Sequence, residues 1–318
     1  MRNYQIMSYL HKCRQLLTLV PRPVGRRYTL YNKDGTSTSR IRLFSSMDRS
    51  DEPSEKSGRP FNSAASFRVT DPPNPNWQLR QGLPDHVEPG KSWKAEEEKG
   101  WKIWNLSDMS PREVYPLLTS CVVPRPIALV SSTSSDGIPN LAPFSYFSMV
   151  AHNPPLLSIS FSQSPRKSKD TKENILATKQ FTVSIMSEPF IEAANITSVD
   201  APADIDEWDV SGLTRSTSID VRPPWVKESA IGFECELFHS YEICPPNSGE
   251  VTNTLVLGLI KRAHVRESVL TASGTVDPAK LRAVSRLGGD MYARIGEGFE
   301  LSRPPWKLIR DQVTSESE

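Results

Sequence analysis

The sequence predicts a mainly β fold with a few helices, in which short antiparallel strands close into a barrel or sandwich. Beyond Ser110 the chain runs through short β-branched-rich stretches bounded by turn residues: PIALVSST, PPLLSISFS, FTVSIM, IGFECELFHSYEI and TNTLVLGLIKRAHV. Runs of this length at this spacing are the pattern of closed antiparallel sheet. The pair Asp136-Gly137 sits between two apolar runs, a hairpin signal because glycine takes positive φ without steric cost. Only two helical patterns interrupt the strands, and no internal repeat points to a solenoid or propeller.

Taken in chain order, residues 1–33 carry Arg2, Lys12, Arg14, Arg22, Arg26, Arg27 and Lys33 but no acidic residue, and YLHKCRQLLTLV can form a short amphipathic helix. With RIRLFSSM at 40–47 following, residues 1–47 resemble a mitochondrial presequence. A basic tail without an address, and a cytoplasmic location, is the alternative. Residues 48–110 are rich in Ser, Pro, Asp, Glu and Lys with few aliphatic side chains to bury, the composition of a linker. Trp77, Trp93, Trp101 and Trp104 are the exceptions. Aromatics this dense near a domain edge predict that the segment after Trp93 docks as an arm. The folded domain is expected over 111–305, with a polar tail at 306–318.

Within the domain, KDTKENILATK predicts a helix with Asp170 and Glu173 in a capping-box arrangement, and EPFIEAANIT predicts another with Pro189 in its first turn. After the hairpin comes DGIPNLAPFSYF, where Pro143 removes a backbone donor and Asn140 and Ser145 break the apolar alternation. That combination marks a strand edge or bulge. Two readings fit: a wall for a flat heteroaromatic ligand, shielded by Phe144, Tyr146 or Phe147, or a barrel corner with ordinary packing. Downstream, SPRKSKDTKENI places Ser164, Arg166, Lys167, Lys169 and Thr171 about a helix start, where unpaired N–H groups and the dipole attract a phosphate. A solvated, well-capped turn fits the same residues.

Several function classes are excluded or unsupported. The net charge of +1 over 318 residues leaves no basic face for nucleic acid. Cys13, Cys121, Cys235 and Cys244 form no CxxC pair, which fits a reducing compartment. No window holds 18 uninterrupted apolar residues, so no membrane span is expected. Cys235, His239 and Cys244 do not make a metal site, since four strand residues separate the first two by roughly 13 Å. Alternation places Phe233, Cys235, Leu237, His239 and Tyr241 on one strand face and Glu234, Glu236 and Glu242, solvated, on the other. Neither GxGxxG nor GxxxxGK[ST] occurs, and no catalytic triad is present.

The collinear series RPIALVSSTSSDGIPNLAPFSYFSMVAHNPPLLSISFS, KDTKENI, DIDEWDVSGLT, SAIGFECEL, LVLGLIKRAHV and VDPAKLRAVSRLGGDMYARIG, over roughly residues 112–305, resembles the flavin reductase-like FMN-binding family of flavoprotein oxidoreductases. The resemblance implies a split β-barrel, a homodimer, FMN as cofactor and NADH or NADPH as electron donor, with an oxygenase as a possible partner. It also implies that Asn140, Ala142, Pro143, Ser145, Tyr146 and Phe147 line the flavin ring. Ser164, Lys169 and Thr171 would hold its phosphate, with Asp170 capping the helix rather than touching the anion. Arg125 is similar to a recurrent family arginine, which fits either an FMN contact or a strand-entry residue fixed between prolines. His264, Arg286 and Tyr292 match the motif on the substrate side, His264 being the catalytic candidate. The same barrel can also serve as a non-catalytic flavin-binding or protein-interaction module.

Overall fold

The computed structural model describes residues 59–163, 168–202, 205–246 and 248–314, together with the backbone at 30–31 and 37–39. The expected presequence over 1–47 and the phosphate candidate Ser164 therefore lie, apart from those two short stretches, outside the described residues. The chain divides into two compact units, Met1–Phe61 and Asn62–Glu318. In the first, Leu30–Tyr31 pairs antiparallel with Ser37–Ser39.

In the second unit, β1 (Arg68–Thr70) precedes helix α1 (Pro111–Cys121), and the barrel strands follow: β2 (Ala128–Thr133), β3 (Pro139–Phe144), β4 (Phe147–His152) and β5 (Pro155–Ser162). Helix α2 (Asp170–Thr178), β6 (Gln180–Ile185), α3 (Ile191–Ile196), α4 (Glu207–Ser211), β7 (Ile231–Ile243) and β8 (Asn253–Val265) complete it. Three short strands end the domain: β9 (Val284–Arg286), β10 (Tyr292–Arg294) and β11 (Glu297–Phe299). Residues Trp306–Thr314, expected as a polar tail, form a helix.

The seven barrel strands are ordered β3-β2-β6-β7-β8-β5-β4, every neighbour antiparallel. β3 and β4 lie at opposite edges yet are joined by Ser145 and Tyr146 alone. The three steps from Phe144 to Phe147 reach about 10 Å, whereas six strand spacings in a flat sheet would separate the edges by about 29 Å. The sheet therefore has to curl until its edges meet. They meet without pairing: the β4–β5 ladder runs on into the turn, where the Ser160 amide donates to the Tyr146 carbonyl at 2.9 Å, and the outer edge of β3 pairs with no described strand. Pro143 is tolerated there because no ladder bond is asked of it.

β2 is buried on both faces. Ala128 and Val130 join Leu157, Ile159, Phe161 and Phe181 inside the barrel, while Leu129, with Ile127, Leu141 and Met186, packs outward under Ala194 of α3 and Trp208 of α4. Those two helices thereby plate the β2–β3 side and bring the loop between them to the seam. Inside, Gly258 of β8 has no room for a side chain: a Cβ there would lie 2.4 Å from the Phe181 ring. Gly258→Ala is expected to lower stability by about 1–3 kcal/mol, read as a fall in the thermal midpoint. An unchanged midpoint would show that the ring yields freely.

The hairpin expected at Asp136-Gly137 is present, with Gly137 at φ +86° and a loop closed by the Ser134 amide donating to the Ile138 carbonyl at 2.8 Å. Docking of the segment before the domain occurs earlier than expected. β1 pairs parallel with β11, Arg68 bonds Glu297 at 2.7 Å, and the Phe67 ring lies over Gly298. Trp77, Trp93, Trp101 and Trp104 stay exposed on this chain. α1 has a clear local cause: Pro111 opens it, and the Ser110 amide and hydroxyl both donate to Glu113 Oε2, at 2.9 and 2.6 Å.

Candidate functional site

A cavity of about 410 Å³ opens at the seam, within the usual range for small-molecule sites. One wall is β3 and its exit turn, through Asn140, Ala142, Pro143, Phe144, Ser145 and Tyr146. Facing it is the N-terminal tip of α2, with Ser168, Lys169, Asp170 and Thr171; the loop Thr197–Ala201 and Glu207 form the third side. One bond ties the first two walls together: Asn140 Nδ2 donates to Thr171 Oγ1 at 2.7 Å, both residues buried. Because Thr171 spends a lone pair on Asn140, its hydroxyl proton remains to be donated to a ligand.

Strand alternation decides which backbone donors face the cavity. The Leu141 amide points away from β2 and is taken by Glu207 Oε2 at 3.2 Å, and the next outward position is Pro143, which has no N–H. The donors left are the amides of Ser145 and Tyr146, which make no hydrogen bond to the described residues. Burial pushes the Tyr146 phenol up, with a further push from Tyr115, so at neutral pH it is an O–H donor. Glu207 carried no signal as a site residue in the sequence. Its carboxyl is pushed up by burial, opposed by the Leu141 amide and raised further by Asp206 and Asp170.

At the helix tip Lys169 is the N-cap residue and Asp170 the first helical one. The capping box expected of Asp170 and Glu173 does not form. Instead Ser168 Oγ donates to Glu173 Oε1 at 2.5 Å, which holds that carboxyl below the usual range. The frame is displaced because packing on β2, β3 and β6, through the buried face of α2 with Thr171, Lys172 and Ile175, fixes where the helix starts. The first-turn N–H groups, with no helical partner four residues back, face the cavity end.

A second compartment of about 390 Å³ shares Tyr115, Pro143, Ser145 and Ser198 with the first and adds Ile127, Asn195, Arg286, Asp290 and Tyr292. Arg286 and Tyr292 thus line a compartment beside the seam cavity. The Arg286 guanidinium stacks on the Tyr292 ring at 4.5 Å, and Tyr292 donates to Asn195 Oδ1 at 2.6 Å.

Three expected site residues lie elsewhere. Phe147 packs on the barrel core and does not line the cavity, because the turn at Ser145–Tyr146 reverses which face the next strand residue presents. Arg125 does not line it either. It is buried with its guanidinium donating to the carbonyls of Thr119, Val122 (2.8 Å) and Leu287 (2.9 Å), and its Nε reaches Ser145 Oγ at 3.4 Å. Arg125 therefore closes the C-terminal end of α1 and positions the cavity turn. His264 belongs to a separate cluster: it stacks on Trp225 at 4.9 Å and bonds Glu234 Oε1 at 2.6 Å.

Glu234, expected to be solvated, is fully buried and accepts the amides of Ile219, Asp220 and Val221 at 2.8, 2.5 and 3.1 Å. The loop bearing those amides covers a strand face that alternation alone leaves open. Burial raises this carboxyl, but His264 and the three amides outweigh it and hold it below the ordinary carboxylate range. A lowered carboxylate stabilises the fold above its unfolded pKa and loses that contribution as pH falls through its folded one. Denaturant midpoints of the parent chain should therefore fall on acidification below the usual carboxylate range, more steeply than those of Glu234→Gln. Parallel profiles would contradict the assignment. Among the described residues no three His, Cys, Asp or Glu side chains converge as a metal site, and no helix is long and apolar enough to cross a membrane.

A curled antiparallel sheet left open at one seam, with a nucleotide-sized cavity between an edge-strand turn and a helix tip, defines a split-barrel flavoprotein. The chain belongs to the family of the flavin reductase like domain, whose model matches residues 119–279. It is 36% identical over 203 residues to the uncharacterized protein YwrF of Bacillus subtilis strain 168, covering 64% of this chain and 98% of that one. Nitrilotriacetate monooxygenase component B from Bacillus cereus superposes with TM-score 0.61 at 34% identity, over 64% of this chain and 99% of the other. A split barrel domain from Shewanella frigidimarina NCIMB 400 matches with TM-score 0.55 at 24% identity, over 65% and 99% of the two chains; that likeness concerns the fold.

Proposed function

We propose that this chain is an FMN-dependent oxidoreductase that draws electrons from NADH or NADPH, acts as a homodimer and passes electrons to a small acceptor or a partner oxygenase. The observation that carries this reading is the single cavity in which Asn140 and Thr171 join the β3 wall to the tip of α2. Its dimensions and donors fit the group: a planar ring against the Ser145–Tyr146 turn and an anionic tail at Lys169 and Thr171. The similarity to a protein named as a monooxygenase component supports an oxygenase partner.

When bound, the flavin supplies hydride chemistry, and the protein supplies position and electrostatics. The free amides of Ser145 and Tyr146 orient the ring's polar edge and favour negative charge there, as preorganised donors do at an oxyanion. Lys169, the Thr171 hydroxyl and the α2 amides hold the phosphate. Arg125 keeps the Ser145 turn in place, and Pro143 leaves the ring edge free of a competing donor.

Anaerobic mixing of FMN-loaded protein with NADH or NADPH is expected to bleach the flavin colour. Colour that persists for hours with both donors would favour the non-catalytic binding module on the same barrel.

A further inference from the structure

One wall residue of the seam cavity is pinned in place and still has bonding capacity to spare. Glu207 is buried, at 8% exposure, and lines the cavity. Its Oε2 accepts the Leu141 amide at 3.2 Å, and its own amide also donates towards the carboxyl group. No other described residue donates to it. A carboxyl group has about four lone-pair positions, so about half stay unspent, and a buried polar group in that condition takes a partner from whatever fills the space.

Position decides what that partner is. Leu141 is the neighbour of Asn140, which bonds the tip of α2 through Thr171, and up to about 13 Å of extended chain separates it from Ser145. Glu207 therefore stands between the phosphate end and the ring end, out of reach of the ring's polar edge. The phosphate is no partner either. Asp170 and Asp200 share the cavity with Glu207, against Lys169 as the sole cation of its described lining, and one more ionised carboxylate beside a phosphate is repulsive. Burial pushes the Glu207 carboxyl up towards its neutral form, the two amides oppose this, and Asp206 and Asp170 add to the push, which lessens that repulsion. What lies between ring and phosphate in a flavin nucleotide is a chain of hydroxyl groups. A hydroxyl pairs with a carboxyl in either state, as donor to the ionised form or acceptor from the neutral one.

We propose that Glu207 is a further binding residue of the site, a specificity determinant that holds a hydroxyl of the sugar-alcohol chain of a flavin and so selects flavins that carry that chain. This rests on the seam cavity being the flavin site.

The test compares riboflavin with lumiflavin, which keeps the ring and carries a methyl group in place of the chain, by equilibrium titration of the full chain followed by flavin fluorescence. Neither ligand has a phosphate, so the tip of α2 does not enter. Riboflavin is expected to bind about ten-fold or more tightly than lumiflavin in the parent chain, a factor that one hydrogen bond to a carboxyl group supplies. Glu207→Met fills similar volume without a strong acceptor and should lose most of that preference. Glu207→Gln keeps an oxygen for the Leu141 amide and a polar group for the hydroxyl, and should retain most of it. A purely structural Glu207 would weaken both ligands alike in Glu207→Met and leave the ratio unmoved. A ratio that survives Glu207→Met, or a parent chain that binds both ligands equally, would overturn the proposal. Circular dichroism shows whether a variant is folded. If Glu207→Met does not fold, riboflavin analogues lacking one chain hydroxyl at a time decide in the parent chain: one of them should bind about ten-fold more weakly, and equal binding of all would overturn the proposal. A parent chain that takes up neither riboflavin, lumiflavin nor FMN would overturn the flavin reading and this inference with it, whereas uptake without preference for the chain removes only the latter.

Discussion

Replacing Lys169 and Thr171 together by alanine is expected to weaken FMN binding by about a hundred-fold or more. Each charge-assisted hydrogen bond to a phosphate contributes about 1.5–3 kcal/mol, and about 1.4 kcal/mol corresponds to a factor of ten. Two such contacts therefore account for a change of this size, with some loss of additivity because they share one anion. Thr171 also accepts from Asn140, so its alanine variant frees the β3 wall from the helix tip. Thr171→Ser separates the two effects, since it keeps the hydroxyl and should retain most of the affinity. Fluorescence quenching on titration gives the numbers. Unchanged affinity in the double variant would remove the phosphate from the tip of α2.

Arg125→Met should lower stability by about 1–3 kcal/mol, the range for leaving a buried polar partner without its hydrogen bond. The side chain is buried, and its loss leaves the carbonyls of Thr119, Val122 and Leu287 without their donor. Methionine fills similar volume, so the deficit would come from unsatisfied polar groups and not from a cavity. Because Nε also reaches Ser145, the folded fraction should bind flavin more weakly. Arg125→Lys keeps the charge but cannot reach three carbonyls in one plane, and should fall between. Denaturant unfolding reads the first effect and titration of the folded protein the second. A variant as stable as the parent would show that water replaces the guanidinium.

What the sequence made legible follows from short-range rules. The five β-rich runs became β2, β5, β6, β7 and β8 because alternation and β-branching report burial on a pleated sheet directly. Asn140, Pro143 and Ser145 stood out because an edge strand facing a cavity has no reason to be uniformly apolar. Lys169 and Thr171 were visible as a helix start. α1 was missed although Ser110, Pro111 and Glu113 spell a helix entry, because Pro116 inside it suppresses the periodic signal. β4 was missed because its exposed Met149 and Val150 blur the apolar pattern.

The remaining misreadings share a longer-range cause. Glu234 looked solvated because the amides that satisfy it lie 13 to 15 residues away in the chain. β7 also shifts register between Glu234 and Cys235 and between Leu237 and His239, which breaks the face assignment beyond that point. The carbonyl partners of Arg125 at Thr119 and Leu287 were not visible in the sequence, because they come from a helix end and a loop that only the closed fold brings together. Glu207 reaches the seam because α4 packs over Leu141 through Trp208, a relation no local pattern encodes.

The most direct test of one cavity gripping a ring and a phosphate together is the ratio of affinities for riboflavin and FMN, which differ only in the phosphate group. Equilibrium titration of the parent chain should show FMN binding about a hundred-fold or more tightly, with the gap narrowing in Lys169→Ala/Thr171→Ala. Riboflavin binding as tightly as FMN would mean that the tip of α2 holds no phosphate, and the account of the site would be wrong.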